Sequence, residues 1–215
     1  MAVIATPQLP PATVAQALVA DTPVTRPVLS STIEFHGRVW DIAAEDVELP
    51  GDVVVRREFM AHTGAVAVIA IDHQGRVLLQ SQYRHPVRRD LWEPPAGLLD
   101  VAGEPPVETA QRELFEEADL QAADWRRLIA FFSTPGGCNE VIQIFLARDL
   151  TEVPPAERFE RADEEATMVP AWVPLDEAAG LVLGGALHSP TSVVGILAAL
   201  RTRDLPGGWD ALPRA

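Results

Sequence analysis

The chain has 215 residues, a single cysteine, Cys138, and a formal net charge of −14. One cysteine excludes an intramolecular disulfide, and no apolar run reaches the ~20 residues that a membrane-spanning helix requires. So strong a negative charge disfavours nonspecific binding to nucleic acid or anionic lipid, and a phosphorylated substrate would need local cations to offset it. The length fits one sizeable domain with or without an appended arm. The chain start lacks the basic and then compactly apolar pattern of a secretory signal, so the sequence reads as soluble and cytoplasmic.

Residues 1–30 are rich in Ala, Pro, Thr and Val. Pro7, Pro10, Pro11, Pro23 and Pro27 interrupt any long helix, which predicts a mobile arm with one short helical turn near residues 14–20. From Ser31 the pattern predicts strands at 31–39, 47–49 and 53–61, with Pro50-Gly51-Asp52 as a turn, and hence a small antiparallel sheet over 31–61. Residues 64–71 are nearly all small apolar or β-branched, as in a strand buried on both faces. A turn at 72–75 leads to a second central strand at 76–83. The segment 82–89 concentrates cations in an acidic protein: Arg84, and after it Arg88 or Arg89, can fork onto phosphate oxygens or pair with nearby acids. Glu93 can reach substrate hydroxyls or a partner chain, or form a structural salt bridge.

The richest stretch is 97–120. Pro105 and Pro106 suit a helix start, where the missing N–H would be unpaired, and Val107, Ala110, Leu114 and Ala118 recur at helical spacing through to about Ala118. Glu113, Glu116 and Glu117 then share a stripe on another face. Like charges so placed want a cation, and hard oxygen donors suit Mg²⁺ or Mn²⁺ better than zinc; a solvated acidic face is the plainer alternative. Strands are expected at 125–133 and 140–147 around the loop 134–139, where Gly136 and Gly137 allow close backbone approach to a ligand or a simple hairpin. Cys138 has no His or second Cys placed to make it a nucleophile. Residues 151–166 read as an acidic irregular stretch. A short strand at 171–175, a helix capped by Asp176, a last helix opening at Ser189-Pro190 and an irregular tail over 204–215 complete the chain.

From Glu104 the sequence runs through seven residues to Arg112-Glu113-Leu114-x-Glu116-Glu117-x-x-Leu120, and this resembles the Nudix box of diphosphate hydrolases. Two departures stand out. The loop from Gly97 to Glu104 is one residue longer than in the family, and Asp119 replaces the box's late glycine, a left-handed position that Asp tolerates. The likeness implies a Nudix-type α/β/α sandwich with a mixed central sheet, the Nudix domain covering 62–203 behind the small N-terminal sheet. Gln82-Tyr83-Arg84, 92–97 and Pro135-Gly136-Gly137 resemble the ADP-ribose pyrophosphatase branch.

What that resemblance implies is metal-dependent attack of water on the diphosphate of ADP-ribose, giving AMP and ribose 5-phosphate. By carry-over, Glu113, Glu116, Glu117 and the Ala96 carbonyl hold Mg²⁺ or Mn²⁺, Arg112 secures a box glutamate, and Glu104 orients the loop. A glutamate on a late loop acts as base, Glu165 in preference to Glu164. Arg84 and Glu93 grip the substrate with Pro135 and Gly136. The early strands cross to a partner in a homodimer, and Arg57 or Glu58 meets the adenosine end. Two other readings stay open: hydrolysis of another nucleoside diphosphate sugar or a nucleoside triphosphate, and a non-catalytic nucleotide-binding domain.

Overall fold

The structure, a computed structural model, describes residues 7–10, 19–161 and 168–215. The helical turn expected near residues 14–20 falls largely on 11–18, outside the described residues. The chain divides into two compact units, residues 1–64 with 131–141, and residues 65–130 with 142–215.

In the first unit, β1 (Val28–His36), β2 (Asp41–Leu49) and β3 (Val53–Ala61) form an antiparallel meander in that order. Leu49 pairs with Val53 across the Pro50-Gly51-Asp52 turn. Gly51 and Asp52 both take positive φ, 85° and 59°, a conformation that costs these two residue types least. Strand β2 starts six residues earlier than its apolar run alone indicates. Its acids hide it in sequence, but residues 41–47 are paired to a strand on both sides, so ladder hydrogen bonds supply what propensity lacks. The segment 131–141 belongs to this unit: the Met60 N–H donates to the Gly137 carbonyl at 2.9 Å and the His62 N–H to Asn139 Oδ1 at 2.7 Å.

The second unit is built around β4 (Ala65–Ala70), whose residues from Val66 to Ala70 are fully buried. Strand β4 runs parallel to β9 (Val141–Glu152) and antiparallel to β7 (Ala96–Leu98) in a mixed sheet ordered β7-β4-β9-β8, with β8 spanning Leu120–Phe132. A second, antiparallel sheet is ordered β10-β5-β6, from Val169–Pro174, Arg76–Arg84 and Arg89–Glu93. Helix α1 (Pro106–Ala118) sets Ala110 and Leu114 against Val66 and Val68 on one face of the mixed sheet. On the opposite face α3 (Pro190–Arg203) lies so close that a Cβ on Gly195 would stand 2.7 Å from Ile69 Cδ1. Helices thus cover both faces, the α/β/α arrangement.

Further details differ from the sequence reading. Residues 89–93, for which the sequence reading expects no strand, form the hairpin partner of β5, because Arg84 and Arg89 pair across a turn that brings the two segments together. Strand β9 continues to Glu152, two residues into the expected irregular stretch. Helix α2 (Leu175–Leu183) begins after Pro174 with no side-chain cap, and Asp176 instead binds Arg203 at 2.7 and 2.9 Å. The tail is not irregular throughout: Gly208–Ala211 forms a 3-10 turn, Trp209 Nε1 donates to the Ala199 carbonyl at 2.8 Å, and the Ala215 N–H reaches the Trp125 carbonyl.

Candidate active site

Helix α1 carries the acids. Glu113 and Glu117, four residues apart, face inward and are each only 9% exposed. Carboxylates so enclosed must be met by charge or N–H groups. Arg112 meets Glu113: its Nη1 lies 2.7 Å from Glu113 Oε1 and 3.4 Å from Glu116 Oε2, while Nη2 reaches Glu104 Oε2 at 3.2 Å. Thr109 Oγ1 also donates to Glu104 Oε2, at 2.7 Å. The hydrogen bonds from Arg112 and then Thr109 hold the Glu104 carboxyl below its ordinary range, and the bond to Glu104, against the effect of burial, raises the pKa of Arg112 further. Glu104 therefore fixes the guanidinium that in turn holds the box glutamates. Strand β7 completes the cradle. The Ala96 N–H donates to Glu117 Oε2 at 3.1 Å, and a Cβ on Gly97 would lie 2.1 Å from Glu113 Oε1, so only glycine lets that carboxylate lie over the strand.

The donor set is all oxygen and close to backbone, which fits a hard divalent cation. Among the described residues no three His, Cys, Asp or Glu side chains converge as a coordination group; the guanidinium of Arg112 stands among Glu104, Glu113 and Glu116 as their counter-cation. Beside this helix, Arg84, Glu93, Ala96 and Glu117 line one narrow cleft with Gln80 and Gln82. Arg84 directs Nε and Nη2 onto Glu93 Oε2, at 3.0 and 2.6 Å, so Glu93 is engaged in a salt bridge and Arg84, still partly exposed, is oriented by it. Arg57, Glu58, Pro135 and Gly136 are gathered separately, around a cavity of about 390 Å³ in the first unit. Cys138 lies there too, its thiol pushed up by burial and hence un-ionised near neutral pH. Glu164 and Glu165 lie outside the described residues.

The NUDIX domain model matches residues 61–190. The chain belongs to the Nudix family. It is 44% identical over 170 residues to an ADP-ribose pyrophosphatase of Mycobacterium tuberculosis, covering 79% of this chain and 81% of that protein. It is 38% identical over 148 residues to an ADP-ribose pyrophosphatase of Bacillus subtilis, covering 69% and 78%. Its fold superposes on the crystal structure of an ADP compounds hydrolase with a TM-score of 0.70 at 21% identity, covering 85% of this chain and 96% of the other.

Within the Nudix frame, Asp119 occupies the helix-ending position with φ 54° and ψ 37°, the left-handed conformation its place in the box requires. Two contributors escaped the sequence reading. Gln80, on β5 and 3% exposed, donates Nε2 to the Glu117 carbonyl at 2.6 Å; a lone glutamine among Val77, Leu78 and Leu79 was the available signal. Arg161 donates Nε to the Glu116 carbonyl at 2.8 Å and sets Nη2 2.5 Å from Asp119 Oδ2. Nothing in the local sequence of Arg161 marks it.

Proposed function

We propose that the chain hydrolyses the diphosphate of ADP-ribose to AMP and ribose 5-phosphate with a divalent metal, Mg²⁺ or Mn²⁺. The observation that carries this reading is the pair of enclosed carboxylates, Glu113 and Glu117, set against the Ala96-Gly97 backbone and next to the Arg84 cleft. Its similarity to two ADP-ribose pyrophosphatases supports the choice of substrate. Glu113, Glu116, Glu117 and the Ala96 carbonyl hold the cation, which when bound neutralises charge on the diphosphate and acidifies water. Arg112 holds Glu113 and Glu116 in line through its ion pairs to both. Arg84 turns from Glu93 to the diphosphate, where its planar fork matches phosphate oxygens. Glu165, with Glu164 as the alternative, takes the proton of the attacking water, and the family resemblance assigns Arg57 or Glu58 to the adenosine end. The reading includes a cytoplasmic homodimer.

The test is product analysis with Mg²⁺ and a panel of ADP-ribose, other sugar nucleotides, dinucleotides and nucleoside triphosphates. Preferred release of AMP from ADP-ribose is the expected result, and chelation of the metal abolishes it. Preference for another member of the panel replaces the substrate assignment; inertness toward all of them, with binding retained, replaces the enzyme by a nucleotide-binding domain.

A further inference from the structure

Helix α1 ends in an unfavourable electrostatic state. Glu113, Glu116 and Glu117 crowd its final six residues, where the helix dipole is negative and disfavours carboxylates, and its last turn contains no basic residue. Asp119 adds a fourth acid at the C-cap. As a helix stop alone, Asp is inferior to glycine in the left-handed conformation, and here it carries a further cost: among the described residues its Oδ1 is buried without a hydrogen-bond partner. An unmet buried acceptor loses its hydration with no bond in return. The other oxygen, Oδ2, binds Arg161 Nη2 at 2.5 Å, while Nε of the same guanidinium binds the Glu116 carbonyl at 2.8 Å. The next carbonyl, that of Glu117, is held by the buried Gln80.

We infer that Asp119 and Arg161 form a clamp that positions the backbone of Glu116 and Glu117 so that their carboxylates meet the divalent cation. Arg161 supplies from a distant part of the chain the cation that the last turn of α1 lacks, and Asp119 fixes the guanidinium so that Nε stays on the Glu116 carbonyl. Arg161 is thus a positioning residue: it acts on the cation through the helix end. The inference rests on the proposed metal role of the box glutamates, but not on ADP-ribose being the substrate.

Coulomb's law and positioning predict opposite signs. Removing Arg161 leaves Asp119 uncompensated near the site, which by charge alone would tighten cation binding; loss of the clamp loosens it. The test titrates the intact chain with Mn²⁺, following the free-ion electron paramagnetic resonance signal, for the parent, Arg161→Ala, Arg161→Lys, Asp119→Gly and the double variant Asp119→Gly/Arg161→Ala. Expected is about tenfold weaker Mn²⁺ binding for Arg161→Ala, within the range found when groups supporting metal ligands are removed. Arg161→Lys should fall between Arg161→Ala and the parent. The double variant should be no worse than Arg161→Ala, because the pair acts as a unit. Asp119→Gly should fold normally, since glycine suits that backbone, yet bind Mn²⁺ about threefold more weakly once its guanidinium anchor is gone. KM for ADP-ribose at saturating Mg²⁺ should stay within about twofold, a uniform-binding term the clamp does not touch. Unchanged or tighter Mn²⁺ binding in Arg161→Ala overturns the clamp, as does an effect seen only in melting temperature. A parent that binds Mn²⁺ but leaves ADP-ribose intact overturns the substrate assignment while the variants still decide the clamp; a parent that binds no Mn²⁺ overturns both.

Discussion

Strands β3 and β4 follow one another in sequence and meet very different surroundings. Every residue from Val66 to Ala70 in β4 is at 0% exposure, whereas Val53 and Val54 in β3 stand 51% and 53% exposed. The second unit encloses its apolar strands with helices on both faces. The first unit places only Ala43 and Ala44 of its meander among the fully buried apolar residues and leaves Val28, Leu29, Phe35 and Trp40 exposed as well. A sheet with that much open apolar surface is suited to association, while the unit that holds the proposed metal-binding glutamates closes its core from its own residues.

The largest effects should come from the second unit and leave association untouched. Glu117→Gln removes a charge from the carboxylate that Ala96 aligns, and metal catalysis is worth several kcal/mol, so turnover should fall by about a thousandfold or more with the oligomeric mass unchanged. Glu165→Gln should lower kcat by ~10² to 10⁴ while substrate binding persists; normal turnover in that variant together with failure of Glu164→Gln transfers the base to Glu164. In the first unit, Leu29→Asp combined with Val54→Asp should shift the proposed dimer to monomer in sedimentation or light scattering without unfolding the second unit. A parent chain already monomeric at assay concentration removes the homodimer and leaves the exposed apolar face unexplained.

How much of this was legible in the chain follows the same divide. Strand β4 announced itself by an unbroken apolar run, and α1 by two prolines followed by apolar residues at helical spacing, so the helix that carries Glu113 and Glu117 could be placed before any fold was known. Strand β2 could not, because Asp41, Glu45 and Asp46 mask a segment held by two neighbours rather than by its own propensity. The Arg84–Glu93 pair depends on the β5–β6 hairpin register, and the Arg161–Asp119 contact joins residues far apart in sequence; neither is encoded in a local pattern. Asp119 was read correctly as a left-handed cap, but what its side chain holds became visible only once the segment carrying Arg161 was folded back onto α1.

The smallest expected effect tests whether the second unit's self-sufficiency extends to its charged rim. Asp124 accepts Arg126 Nε at 2.7 Å and Arg148 Nε and Nη2 at 3.0 and 2.6 Å, joining β8 to β9. Burial works to raise its carboxyl pKa, but the hydrogen bonds from Arg148 and then Arg126 prevail and hold it below the ordinary 3.8. Since the folded-state value lies below the unfolded one, the stabilisation is complete above 3.8 and is lost as pH falls through the folded value. Asp124→Asn removes the charge at every pH. Weakening charge-assisted bonds to two arginines costs about 1–3 kcal/mol, a drop of roughly 2–10 °C in melting temperature near pH 7 for a domain of this size. On acidification below 3.8 the parent should lose stability more steeply than the variant, so that the two melting curves converge. A gap between them that stays constant down to low pH would show that the loss is one of packing and not of charge, and the rim of β8 and β9 would then owe its order to the apolar core beneath it.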